Sequence, residues 1–226
     1  VVGRLGDVGN SYLACSGAEK ARPGPNRLGA VMDVAIALTA LIAFLPAFIL
    51  IAIAVGFERR GPIIFAQRRI GQHGAPFMLY KFRSMHVDGD RIFADHIVSN
   101  PDAAAEWARD HKLQRDPRVT RLGSFLRRSS LDELPQLFNV LRGQMGIVGP
   151  RPIVEAEIAK YGRYFGLYCS VRPGITGLWQ ISGRNHVSYR RRVAMDAIYA
   201  KKKTVLLDIK IIVATIPAVL RRTGSY

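Results

Sequence analysis

The sequence predicts a mainly α-helical protein with one small β-hairpin, tied to the membrane by an N-terminal helix. Three observations carry this prediction. The run from Val34 to Val55 holds no charged residue. At about 1.5 Å per residue, a helix of that length reaches across a ~30 Å bilayer core. Strand-like patterning is confined to one short region after that run, bounded by glycine and proline. The chain is also strongly basic, with 33 Lys+Arg against 17 Asp+Glu, a formal +16 over 226 residues. Such an excess points to an anionic partner: nucleic acid, an acidic membrane surface or a phosphorylated small molecule. The two cysteines, Cys15 and Cys169, lie far apart. They give neither a disulfide framework nor a zinc spacing, and they suit a reducing compartment.

Residues 1–27 are rich in Gly, polar and basic residues around Pro23-Gly24-Pro25, and read as a flexible tail. Residues 28–57 form the membrane helix. It starts too late for a signal peptide and lacks a small-residue cleavage pattern. A single span is the plain reading. Two features favour a re-entrant helix kinked at Pro46. Proline removes a helical hydrogen bond and leaves arms of roughly 18 and 14 Å, each short of a bilayer core. Both flanks are basic, with Lys20, Arg22 and Arg27 before and Arg59, Arg60, Arg68 and Arg69 after. The positive-inside rule then places both ends in the cytoplasm.

Residues 58–226 make the rest, a cytoplasmic domain with interfacial helices. "GPIIFAQRRIGQHGAPFMLYKFRSM" reads as two strands joined by the turn "GQHGAP". Lys81 and Arg83 stand two apart, so both project from one strand face. They serve either an anionic ligand or an ordinary exposed face. Residues 88–114 read as helix, with Asp102, Glu106 and Arg109 on one side. A helix near 153–167, a turn at "RPGITG" and a loop at "LWQISGRN" precede a final helical region. Its apolar stretch Val205–Leu220 suits a membrane-interface helix or a core helix equally. The five histidines show no metal-binding spacing, and no phosphate-binding glycine motif occurs.

One acidic pair stands out in this basic chain. Ser130-Leu131-Asp132-Glu133 matches a capping box, with Glu133 reaching back to the start of a helix. A carboxylate in such a first turn also sits where phosphate is attracted. With Arg127, Arg128 and Arg151 nearby, Asp132 could attack phosphorus as carboxylate nucleophiles do. A divalent cation would offset the repulsion between that carboxylate and a diphosphate.

"KFRSM", "DPRVTRLGSFLRRSSLDELPQLFNVLRGQMGIVGPRP" and "RPGITGLWQISGRN" together resemble the bacterial sugar transferase family, the monotopic polyprenyl-phosphate phosphoglycosyl transferases. The likeness runs from about Asp33 to Tyr226. It is strongest to the short exopolysaccharide-initiating galactosyl- or glucosyl-phosphate transferases. The resemblance implies transfer of a hexose 1-phosphate from a UDP-sugar to undecaprenyl phosphate, with release of UMP, through a covalent intermediate on Asp132. It implies Glu133 as the acidic partner and Mg²⁺ held by Asp132 and Glu133. Lys81, Arg83 and Arg127 match basic residues of the family's site, and Arg151 matches its nucleotide-side phosphate contact. Gln67, Arg69 and Gly71 match a "QxRxG" stretch of unassigned role. Placement at the bacterial inner membrane, facing the cytoplasm and touching anionic lipid, follows from the same likeness, and a homodimer is compatible with it. The chain departs from the family pattern at Gly29–Asp33, at Leu45-Pro46 and at Lys201–Thr204. Two rival readings remain: an inactive membrane-anchored interaction protein, and a nucleic-acid binder. The dispersed charges count against nucleic acid.

Overall fold

The computed structural model describes residues 27–58, 61–110, 113, 115–182 and 187–220. Of the tail expected at residues 1–27, all but Arg27, which begins a helix, lies outside them. Helix α1 (Arg27–Glu58) has 32 residues and continues through Pro46. It is the one helix among the described residues long and apolar enough to cross a membrane. Its buried residues Gly29, Asp33, Ala37, Ile51 and Val55 fall on one stripe. On the other side Leu38, Ile42, Leu45, Ile49 and Ile53 are exposed. Ala37 joins a core with Leu79, Val140, Met145 and Ile147. Ile51 and Val55 join another with Phe82 and Leu126. Both limbs of α1, on either side of Pro46, therefore rest on the same body.

Strands β1 (Ile64–Ile70) and β2 (Pro76–Phe82) pair antiparallel, with Phe65 opposite Lys81, as the sequence predicts. The turn between them needs positive φ at His73 and Gly74. Gly71 belongs to it because a Cβ there would stand 3.1 Å from both the Ala75 oxygen and the Phe77 ring. The single helix expected over 88–114 is two, α2 (Gly89–Ser99) and α3 (Pro101–Asp110). Pro101 makes the break, since the residue before a proline is pushed out of helical geometry; Asn100 is extended.

Next come α4 (Arg121–Ser129), a 3₁₀ turn at Leu131–Glu133 and α5 (Gln136–Leu141). Strand β3 (Gly146–Val148) pairs in parallel with β4 (Gly174–Thr176). These three-residue strands are too short to show a period in the sequence. The helix expected near 153–167 is a broken series: a 3₁₀ turn at Glu155–Glu157, α6 (Ile158–Tyr161), a second turn at Gly162–Tyr164 and α7 (Phe165–Cys169). The stretch read as a loop opens with a short helix, α8 (Leu178–Ile181).

The final region is α9 (Tyr189–Lys202) and α10 (Val205–Leu220). Helix α10 has one face in the core and one exposed. Ile211 and Asp208 are buried, while Leu206, Ile209, Val213 and Ile216 form an exposed apolar stripe at helical spacing.

Candidate active site

The acid pair lies where three segments meet, and each is pinned by its backbone. The first is β2, which carries Lys81. One edge of β2 is held by Asn139 of α5, which is fully buried. Asn139 accepts from the Tyr80 N–H at 3.1 Å and donates to the Met78 oxygen at 2.7 Å. A side-chain amide thus satisfies a strand edge in place of a third strand. It fixes α5, just beyond the acids, against the residue before Lys81. Nothing in the sequence pattern marked Asn139.

The second segment is α4. Thr120 caps it, accepting from the Gly123 N–H at 2.8 Å. A Cβ on Gly123 would meet the Ser84 oxygen at 2.0 Å, so only glycine lets α4 lie on that backbone. This contact brings Arg127 to Ser84, where its Nε donates to the hydroxyl at 2.9 Å. Burial lowers the Arg127 pKa, while Asp132 pulls it back up.

The third segment is the turn itself. Ser130 takes left-handed geometry at φ 58°, a conformation unfavourable for non-glycine residues. It ends α4 and redirects the chain into Leu131–Glu133. The expected capping box is absent: the Ser130 side chain makes no capping hydrogen bond. Glu133 instead pairs with Lys81 Nζ at 2.6 Å. The same ammonium lies 3.7 Å from Asp132.

Electrostatics separate the two acids. Asp132 is 6% exposed. Its pKa is pushed up to about 6, chiefly by burial and further by Glu133, against the pull of Lys81 and Arg127. Burial also opposes the charge on Glu133, but Lys81, Arg151 and Gln136 together overcome it and hold its pKa below the usual range. One shared lysine therefore leaves a carboxylate partner and a carboxyl group that ionises near neutrality.

Arg151 approaches from a fourth direction. Gly149 N–H donates to the Thr176 oxygen and Gly174 N–H to the Pro150 oxygen, both at 2.9 Å. Two residues beyond Arg151, Ile153 accepts from Ile70 N–H at 2.9 Å. The arginine is held between two fixed points and two prolines, yet makes no side-chain hydrogen bond to the described residues. The "QxRxG" stretch gains a role here. Arg69 donates to the Pro152 oxygen at 3.1 Å and to Gln67 at 2.6 Å, so it braces the segment carrying Arg151.

Arg83 is engaged differently from the other basic residues. It is 7% exposed. Its guanidinium donates to the Val55 oxygen near the end of α1 and to the Pro62 oxygen, both at 2.9 Å. Lys81, Arg127, Arg151 and the two acids act on one another; Arg83 fastens the apolar helix to the strand. Strand alternation put Lys81 and Arg83 on one face, but Arg83 falls just beyond the last paired residue.

Comparison with known proteins identifies the family. The family described as "Bacterial sugar transferase" matches residues 26–222. The chain is 52% identical over 194 residues to the exopolysaccharide production protein ExoY of Sinorhizobium fredii, covering 86% of each. It is 38% identical over 205 residues to a UDP-glucose:undecaprenyl-phosphate glucose-1-phosphate transferase of Caulobacter vibrioides, covering 87% of this chain and 71% of that one. It is 49% identical over 166 residues to an undecaprenyl-phosphate galactose phosphotransferase of Salmonella typhimurium, covering 74% of this chain and 35% of that one. The chain belongs to the bacterial sugar transferase family.

Proposed function

We propose that this protein transfers a hexose 1-phosphate, galactose or glucose, from a UDP-sugar to undecaprenyl phosphate, with release of UMP, as the first step of an exopolysaccharide repeat. The single observation that carries the chemistry is Asp132. It is a buried carboxylate among cations, ionising near neutrality, on a rigid turn.

In the first step an Asp132 oxygen bonds to the sugar-bearing phosphorus. The bond from that phosphorus to the bridging oxygen breaks, and UMP leaves with the electron pair. In the second step an oxygen of undecaprenyl phosphate bonds to the same phosphorus. The aspartyl–phosphorus bond breaks and Asp132 returns as carboxylate. Lys81 and Arg127 stand where charge accumulates on the transferred group, and Arg151 faces the nucleotide phosphates. A bidentate guanidinium suits that task, and its proline neighbours limit the backbone freedom lost on binding. Arg83, in this reading, acts on the substrate only by fastening α1 beside the site.

Asp132 and Glu133 are fit to hold Mg²⁺. They are adjacent oxygen donors, and Mg²⁺ needs only one or two carboxylates, completing its shell with water and phosphate. No larger group of His, Cys, Asp or Glu converges among the described residues. Bound there, the ion would offset repulsion between carboxylate and diphosphate.

The membrane placement follows the same reading. Helix α1 enters the cytoplasmic leaflet and returns, with Pro46 at the bend. Support comes from the two limbs resting on one body and from the lipid-suited residues between them. A straight span would carry that body into the hydrocarbon. The exposed stripe of α10 lies on the headgroups.

The test is nucleotide release by the detergent-solubilised protein with Mg²⁺, undecaprenyl phosphate and one UDP-sugar at a time. UMP that requires both the lipid and Asp132 is the expected result. Release of UDP, or full turnover by Asp132→Asn, sinks the mechanism.

A further inference from the structure

Beyond the acid pair, a second cluster holds polar groups that the fold itself leaves unused. Arg69 Nε, Trp179 Nε1, Gln180 Oε1 and Arg192 Nε are buried without a hydrogen-bond partner. Proteins rarely leave such atoms unmatched, because burial strips their water. Arg151 neighbours the two arginines among them. After burial itself, its charge is the main influence lowering the pKa of both Arg69 and Arg192. On the opposite side Arg151 acts on Glu133. The Arg151 charge is therefore felt both at the acid pair and at the two orphaned arginines.

The cluster has a defined shape. The Arg192 guanidinium lies 4.0 Å over the Trp179 ring, a flat cationic shelf with its indole side closed. Trp179 is 3% exposed and fixes the shelf in place. Gln180 is brought close by Gly177, where a Cβ would meet both the Gly149 oxygen at 2.3 Å and Gln180 Oε1 at 2.7 Å. Because Gly149 begins the segment leading to Arg151, shelf and arginine belong to one packed unit.

We infer that Arg192, Trp179 and Gln180 form the nucleoside end of the donor site, taking the uracil of a UDP-sugar while Arg151 and Arg69 face its diphosphate. The orphaned atoms supply the argument. A uracil edge presents acceptor, donor and acceptor in order. The indole and guanidinium N–H groups supply two donors, and the glutamine oxygen supplies one acceptor. Arg192 is thereby a specificity residue, set apart from the transferred phosphorus.

This inference rests on the donor assignment above, so its test avoids turnover. The full chain in detergent is titrated calorimetrically, without lipid acceptor, against UDP, CDP and inorganic pyrophosphate. Wild type is expected to bind UDP more tightly than either of the others. Arg192→Gln and, as a charge-retaining control, Arg192→Lys are each expected to lose at least tenfold for UDP while pyrophosphate changes less than twofold. Gln180→Leu should lose severalfold for UDP alone. Equal losses for UDP and pyrophosphate would make Arg192 a phosphate ligand and overturn the assignment, as would unchanged UDP affinity in folded variants. A wild type that releases no UMP yet shows this nucleoside selectivity would defeat the transfer mechanism and leave the inference standing.

Discussion

Asp33 and Asp132 are equally buried, each 6% exposed, and each faces a cation, but they are built to opposite ends. Asp33 is satisfied on both oxygens. It accepts from Ile147 N–H at 3.0 Å and from Arg172 at 2.9 Å. Asp132 has Lys81 at 3.7 Å, and that lysine is closer to Glu133. The first carboxylate joins α1 to the β3–β4 pair with a hydrogen-bond donor on each oxygen. The second is left with fewer donors than its burial would call for. Burial alone therefore does not separate the two acids; the completeness of their hydrogen bonding does.

The largest effect should come from Asp132→Asn. An amide cannot form the aspartyl-phosphate, so UMP release is expected to fall by at least about 10³-fold, the scale of losing a nucleophile. Stability should move the other way. A raised pKa means the folded state binds the proton more tightly than the unfolded chain. Stability then falls as pH rises from about 4 to about 6, and the full penalty persists above that. Removing the charge should return about 3 kcal/mol at neutral pH, read as a higher Tm. A variant that is inactive and less stable would contradict the account of Asp132 as strained by burial.

Asp33→Ala should act almost entirely on stability. It strands Arg172 and a buried N–H, and removing one partner of such a pair costs about 3 kcal/mol. The expected result is a markedly lower Tm in detergent, with residual turnover in the fraction that stays folded. Loss of turnover at unchanged Tm would put Asp33 in the chemistry and erase the contrast.

The pH profile comes next in size. Turnover should fall about tenfold per pH unit below the Asp132 pKa near 6, since only the anion attacks. Lys81→Met removes the main charge holding that pKa down, so the acid limb should move to higher pH. An unmoved limb would assign the ionisation elsewhere.

These contrasts were only partly legible in the sequence. The apolar helix, the hairpin and the acid pair each carry a local signature: a charge-free run, strand alternation around a glycine turn, and adjacent carboxylates in a basic chain. The family resemblance gave roles to Arg127 and Arg151, which stand near the pair in the sequence. What stayed hidden depends on contacts across long separations. Asn139 reads as an ordinary polar residue of a helix until β2 lies beside it, and Arg192 is one of three consecutive arginines until Trp179 selects it. The capping box failed for a similar reason. Its spacing was right, but Lys81, distant in sequence, offered Glu133 a charged partner that a backbone N–H could not match.

The smallest effect, and the most discriminating for the turn, concerns Ser130. Its left-handed φ of 58° costs roughly 1 kcal/mol in a residue with a Cβ. Glycine removes that strain but returns flexibility to the unfolded chain, so Ser130→Gly should gain at most about 1 kcal/mol. Turnover should stay close to wild type, because the backbone that aims Asp132 is unchanged. Ser130→Val should do the opposite. A β-branched residue resists positive φ, so the turn would relax and carry Asp132 away from Lys81 and Arg127. Its turnover should drop further than its Tm, a pairing that separates an aiming residue from a merely structural one. Equal behaviour of the glycine and valine variants would mean that the left-handed turn is incidental, and that the buried cations alone set the position of the nucleophile.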